Sequence, residues 1–196
     1  MAEEMEYPEG ATPLDAEEVE GLKFPHVTTR GELDHLEQAN IEAGLLWLGR
    51  RKDSDILNDQ FVRNLHKRLF GEVWRWAGSY RLTEKNIGVA PEQIKVQLRD
   101  LLDDVRYWVE NSTYNPIEAA VRLHHRMVYI HLFPNGNGRH ARIMADVLLE
   151  NVYKAQAIDW SGGHDLQRMN ERRKQYIAAL VAADSGDYAP LLWFAN

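Results

Sequence analysis

The chain has 196 residues, 44% of them apolar and 27% charged, with a formal net charge of −7 and no cysteine. That length suits one domain with a sizeable core, and the missing cysteine excludes disulfides and thiolate metal sites. No apolar run approaches the roughly 18 residues needed to span a bilayer, and the start, "MAEEMEYPEG", lacks the apolar stretch of a signal peptide. A cytoplasmic protein without membrane contact is the expectation. The charge is unevenly placed. Glu3, Glu4, Glu6, Glu9, Asp15, Glu17, Glu18 and Glu20 are all of the charged residues among the first twenty, and setting them aside leaves +1 on residues 21–196. A near-neutral body argues against a protein that grips nucleic acid. Residues 1–25 therefore read as an acidic, flexible lead-in and 26–196 as the folded domain.

Helical signals follow in order. Residues 28–51 carry a capping box, Thr29 with Glu32, and a loose stripe of Leu33, Leu36, Ile41, Leu45 and Leu48. Residues 54–71 have Ser54 as a cap, Ile56, Phe61, Leu65 and Leu69 on one face, and Gly71 as a stop. Residues 77–91, "AGSYRLTEKNIGVAP", break the pattern: two glycines, strand-favouring Tyr80 and Val89, and no helical stripe predict an exposed loop or short β-hairpin. Pro91 opens the next helix, with Ile94, Leu98, Leu101, Val105 and Trp108 on one face. Asn115, Pro116 and Glu118 repeat that start signal. Residues 138–155 are apolar on most sides, as a central helix would be, and residues 164–184 and 187–196 give a long and a short closing helix. The expectation is an all-α domain with one hairpin.

Chemistry concentrates in residues 131–142, "HLFPNGNGRHAR". A loop there joins a helix ending near His131 to one beginning near Gly138, so it feeds a helix N-terminus with free N–H groups and partial positive charge. Gly136 and Gly138 let the backbone fold closely around a bound oxygen. Arg139 and Arg142 lie three apart and share a face of the first turn. Together these suit a polyphosphate, with the imidazole of His131 as a base at its edge. Taken singly, each has a plainer reading: a turn, a solvent-facing arginine, a satisfied buried histidine. No "GxxxxGK[ST]" is present and no strand precedes the glycines, which excludes a Walker loop and a dinucleotide fingerprint. His124, His125, His131 and His140 show no zinc spacing, and His66 and His164 read as surface or cap residues.

The same twelve residues resemble the Fic family motif: His, x, Phe, x, acid, Gly, Asn, Gly, Arg, two free positions, Arg. Seven of the eight fixed positions match, at His131, Phe133, Gly136, Asn137, Gly138, Arg139 and Arg142. "FGEVWRWAGSYR", "RRKQYIAAL" and "GDYAPLLWF" resemble the family's flanks, and the chain is similar to the Fic group called mobile mystery protein B. The resemblance implies an all-α Fic fold and transfer of AMP from ATP to a Ser, Thr or Tyr hydroxyl of a target protein. It implies His131 as general base, Phe133 as the loop's anchor, and Gly136, Asn137, Gly138, Arg139 and Arg142 as the nucleotide-binding set. The flap residues Thr83, Glu84, Lys85, Asn86, Ile87 and Gly88 would clamp the target by strand addition.

The family's acid, which binds the Mg²⁺ (or Mn²⁺) bridging the phosphates, is replaced here by Asn135. Its carbonyl can ligate a hard cation but brings no charge. That leaves three readings open: weaker catalysis, a changed donor or reaction, or a nucleotide-binding interaction module. Relatives that move phosphate usually have Lys at the Gly138 position, which leans against a phosphotransferase. Many Fic proteins also carry an inhibitory helix whose glutamate pairs with the second arginine, here Arg142. Glu32 and Glu37 are the candidates, each an incomplete match, and a separate antitoxin is the other reading.

Overall fold

The computed structural model describes residues 12–51, 55–162, 166 and 170–196. Eight α-helices form there: α1 Ala16–Val19, α2 Arg30–Gly49, α3 Asp59–Phe70, α4 Ile94–Glu110, α5 Pro116–Ile130, α6 Asn137–Val147, α7 Glu171–Asp184 and α8 Ala189–Ala195. No strand forms among the described residues, and none of their helices is long and apolar enough to cross a membrane.

Local signals set the ends. Thr29 and Glu32 make the expected capping box on α2, and the Asn115 side chain accepts from Glu118 N at the start of α5. Asn58 caps α3 by accepting from Phe61 N at 2.8 Å, in place of the expected Ser54, which lies outside the described residues. α7 starts at Glu171 on the cap Asn170; His164 lies outside the described residues.

Helix α5 is the hub. Ala119, Ala120, Val121, Leu123, His124, Met127 and Ile130 are buried in it, against α4, α6 and α8. The stripes of α3 and α4 are buried as expected, apart from the half-buried Trp108. In α2 the stripe differs: Leu45 is 42% exposed, and the buried face is Leu33, Glu37, Asn40, Ile41 and Gly44. Polar side chains take core positions there because their partners are built in. Asn40 Nδ2 donates to Arg68 O at 3.0 Å, and its Oδ1 accepts from Glu72 N at 2.9 Å.

Two expectations change. The segment before Pro91 forms no hairpin, because its main chain bonds to the loop behind it: Arg81 N donates to Leu132 O at 3.0 Å and Val89 N to Ile130 O at 3.4 Å. Residues 12–25 do not stand apart as a lead-in. Leu22 is buried and bridges to Trp74, while Trp76 Nε1 donates to Glu18 O at 2.9 Å.

Candidate active site

Helix α5 ends in a left-handed residue, His131, at φ 56°. A non-glycine residue costs about 1–2 kcal/mol there, so something must hold it. Its carbonyl accepts from Arg81 Nε at 2.6 Å. Arg81 is 1% exposed, and its guanidinium also donates to the Thr83, Val89 and Ile130 carbonyls. One buried arginine thus ties both ends of the flap to the backbone of His131.

The following loop is closed from within. Asn137 Oδ1 accepts from Phe133 N at 2.9 Å and its Nδ2 donates to Phe133 O at 2.7 Å. Phe133 is fully buried and stacks on His66 at 3.7 Å. Far from being a surface or cap residue, His66 is the loop's anchor. Its Nδ1 accepts from Gly78 N at 3.0 Å, so the proton sits on Nε2, which donates to Asn135 O at 3.0 Å. Gly136 then turns the chain at φ 79°, where a Cβ would lie 2.7 Å from the Phe70 ring. Only glycine fits that corner.

Helix α6 begins with no side-chain cap and no acid in its first turn. Arginines at the positive end of a helix dipole are misplaced unless an anion completes the site. Arg142 Nη1 donates to Tyr176 OH at 3.3 Å, and that hydroxyl meets His124 Nε2 at 2.8 Å. Arg139 lies over Phe70, its Nη1 2.6 Å from Glu37 Oε2. Glu37 is 2% exposed and its Oε1 accepts from Trp74 Nε1 at 2.7 Å. The expected pairing with Arg142 is therefore not formed: Glu37 holds the first arginine, not the second. Glu32 is occupied at the exposed start of α2, accepting from Thr28 N and Thr29 N at 3.3 Å.

A cavity of about 430 Å³ is lined by His131, all of residues 135–139, and Arg142. Of the flap, Asn86, Ile87 and Gly88 line it; Thr83 and Lys85 bond to residues 13–18 instead, and Glu84 is exposed. Asn137 can offer an anion only its main chain, since its amide group closes the loop. His131 is 5% exposed, and neither ring nitrogen has a hydrogen-bond partner. Burial, reinforced by the cations of Arg81 and Lys85, pushes its pKa down to about 3. The ring is neutral at physiological pH, and no protein group occupies the lone pair with which it could accept a proton.

Among the described residues, protein donors alone do not make a metal site. Among the described residues no three or more His, Asp or Glu side chains gather to hold an ion. Asn135 contributes a neutral oxygen that already accepts from Gly136 N at 2.5 Å.

Sequence reasoning missed His66, Arg81, Trp74 and Tyr176. Each lies within a segment resembling the family or on the apolar face of α3, but a buried arginine that bonds only to carbonyls leaves no sequence signature.

The fold described above has counterparts among known proteins. The model of the Fic/DOC family matches residues 56–149. The protein adenylyltransferase fic-1 of Caenorhabditis elegans is 29% identical over 183 residues, covering 88% of this chain and 33% of the relative. A solved structure of Fic-1 from C. elegans superposes with a TM-score of 0.63 at 26% identity, over 83% of this chain and 47% of that one. BepC protein from Bartonella tribocorum, solved with bound AMPPNP, gives a TM-score of 0.69 over 96% of this chain and 92% of its own, and at 16% identity shows the fold alone. The chain spans about a third of the length of the curated relatives it matches. Residues 56–149, just under half of the chain, thus carry a match to the Fic/DOC family domain.

Proposed function

We propose that this protein transfers AMP from ATP to a hydroxyl group of a polypeptide. The observation that carries this is the unpartnered ring of His131 opening on the same cavity as the uncapped N-terminus of α6 and its two arginines. The curated relatives named protein adenylyltransferase support it. The acceptor oxygen attacks the α-phosphorus and gives its proton to His131. The bond from that phosphorus to the bridging oxygen breaks, and pyrophosphate leaves with the electron pair. The main-chain amides of α6 and the guanidiniums of Arg139 and Arg142 hold the phosphates and offset charge growing on the leaving group. Asn86, Ile87 and Gly88 guide the acceptor segment. Label from α-phosphate-labelled ATP is expected on protein, and none from the γ-labelled form. The reverse pattern would make the protein a phosphotransferase.

A divalent cation, Mg²⁺ or Mn²⁺, would enter with the nucleotide. Asn135→Asp adds the charge that the motif position lacks and is expected to raise the rate about tenfold at limiting Mg²⁺. Initial rates across a metal titration check this, and an unchanged rate would show that the position does not serve the cation.

Glu37 supplies a regulatory reading. It is the intramolecular counter-charge of Arg139, so a triphosphate must share that arginine with it. Glu37→Gln keeps the Trp74 bond but leaves Arg139 without its anion. Free protein is expected to lose about 3 kcal/mol of stability. ATP is expected to raise the melting temperature of the variant more than that of the parent, as read by calorimetry; equal shifts would show that Glu37 and the nucleotide do not share Arg139.

A further inference from the structure

The acidic segment ahead of α2 is bonded to the flap through flap side chains. Lys85, whose side chain is 3% exposed, donates from Nζ to Asp15 Oδ2 at 2.8 Å, to Glu18, and to the Pro13 carbonyl at 3.4 Å. Thr83 Oγ1 donates to Asp15 Oδ2 at 2.6 Å. Behind these contacts the segment is fastened to the body by main-chain pairing. Arg75 N donates to Gly21 O at 2.8 Å and Lys23 N to Val73 O at 2.9 Å. The fit is close: a Cβ on Gly21 would lie 2.4 Å from the Trp76 ring. So the flap divides its residues between two tasks. Thr83 and Lys85 hold the segment, while Asn86, Ile87 and Gly88 line the cavity. Just ahead of the clamped Pro13, Thr12 lines that same cavity alongside His131.

We propose that Thr12 is an intramolecular acceptor, delivered to the nucleotide cavity by the Asp15–Glu18 clamp on Lys85. This rests on the AMP-transfer reading above. The Thr12 oxygen bonds to the α-phosphorus of ATP, its proton passes to His131, and pyrophosphate departs. The same placement makes the segment a competitor of external targets, because it occupies the edge of the flap along which they would lie.

The test incubates the full chain with ATP and Mg²⁺ and maps the product by peptide mass spectrometry. Cleavage after Lys23 gives a fragment of residues 1–23 whose only hydroxyl side chains are Tyr7 and Thr12. One AMP on Thr12 is expected, at a rate constant independent of protein concentration, as an intramolecular reaction requires. Thr12→Ala should remove that mark and Thr12→Ser should keep it. Asp15→Asn with Glu18→Gln should slow it about tenfold by loosening the clamp, without slowing the labelling of other proteins in a lysate. AMP on Tyr7 instead, a rate proportional to protein concentration, or an unchanged rate in the clamp double variant would each overturn the proposal. His131-dependent label on lysate proteins with none on Thr12 would overturn it and leave the transferase reading standing. No label on any protein would sink both.

Discussion

Alanine in place of His131 should lower AMP transfer by about 10²–10⁴-fold, the range a positioned general base contributes, while ATP still binds. The two properties separate because the phosphate-holding groups are elsewhere: the α6 amides, Arg139 and Arg142 are positioned by Phe133, His66 and Tyr176, none of which bonds to the His131 ring. The fold should tolerate the change, since the lost ring makes no hydrogen bond and a buried, unsatisfied polar group disappears with it. The pH profile adds a second signature. With its pKa pushed down to about 3 by burial and by Arg81 and Lys85, the ring stays in its proton-accepting form well into mild acid. Activity is expected to hold level from about pH 8 to pH 5 rather than fall through the usual histidine range near 6.5. Stopped-time assays read by intact mass spectrometry, beside calorimetric ATP titrations, check both parts. A fall in ATP affinity matching the fall in rate would mean that His131 binds rather than catalyses.

The second large effect is on stability. His140, like His131, is buried and held neutral, its pKa pushed down to about 4 by burial. A ring that is neutral in the fold takes up a proton on unfolding anywhere below its ordinary value near 6.5, so stability falls with pH across that window. At pH 5 this amounts to roughly 2 kcal/mol for each of the two. Buried His66 and His124 are shifted in the same direction, chiefly by burial, and add to the loss. Asp146 runs the other way: burial raises its pKa to about 6, so its contribution grows as pH falls and offsets roughly 1 kcal/mol at pH 5. From His131, His140 and Asp146 alone the protein should melt about 6–12 °C lower at pH 5 than at pH 7.5. Calorimetry across that range checks it, and a melting temperature that does not fall would show that the rings are solvated.

How much of this could be read ahead of the structure follows from the range of the forces involved. Thr29, Asn115 and Pro116 act within one turn of helix, so the starts of α2 and α5 were legible. So was the loop from His131 to Arg142, because its chemistry is local and its spacing matches a known motif. Tertiary partners were not legible. Glu37 and Asn40 break the apolar stripe of α2 because their partners, Trp74, Arg139, Arg68 and Glu72, come from other parts of the chain. The flap gave the composition of a hairpin, yet Arg81 and the loop behind it compete for the main-chain bonds a hairpin needs. The acidic charge of residues 12–20 suggested solvation, but its counter-charge, Lys85, lies some seventy positions downstream.

The most direct test is a crystal structure of the protein with a non-hydrolysable ATP analogue. The triphosphate should lie against residues 136–139 and Arg142, with its α-phosphorus facing the ring of His131. A nucleotide bound outside this cavity, or one whose α-phosphorus the imidazole cannot approach, would contradict the account.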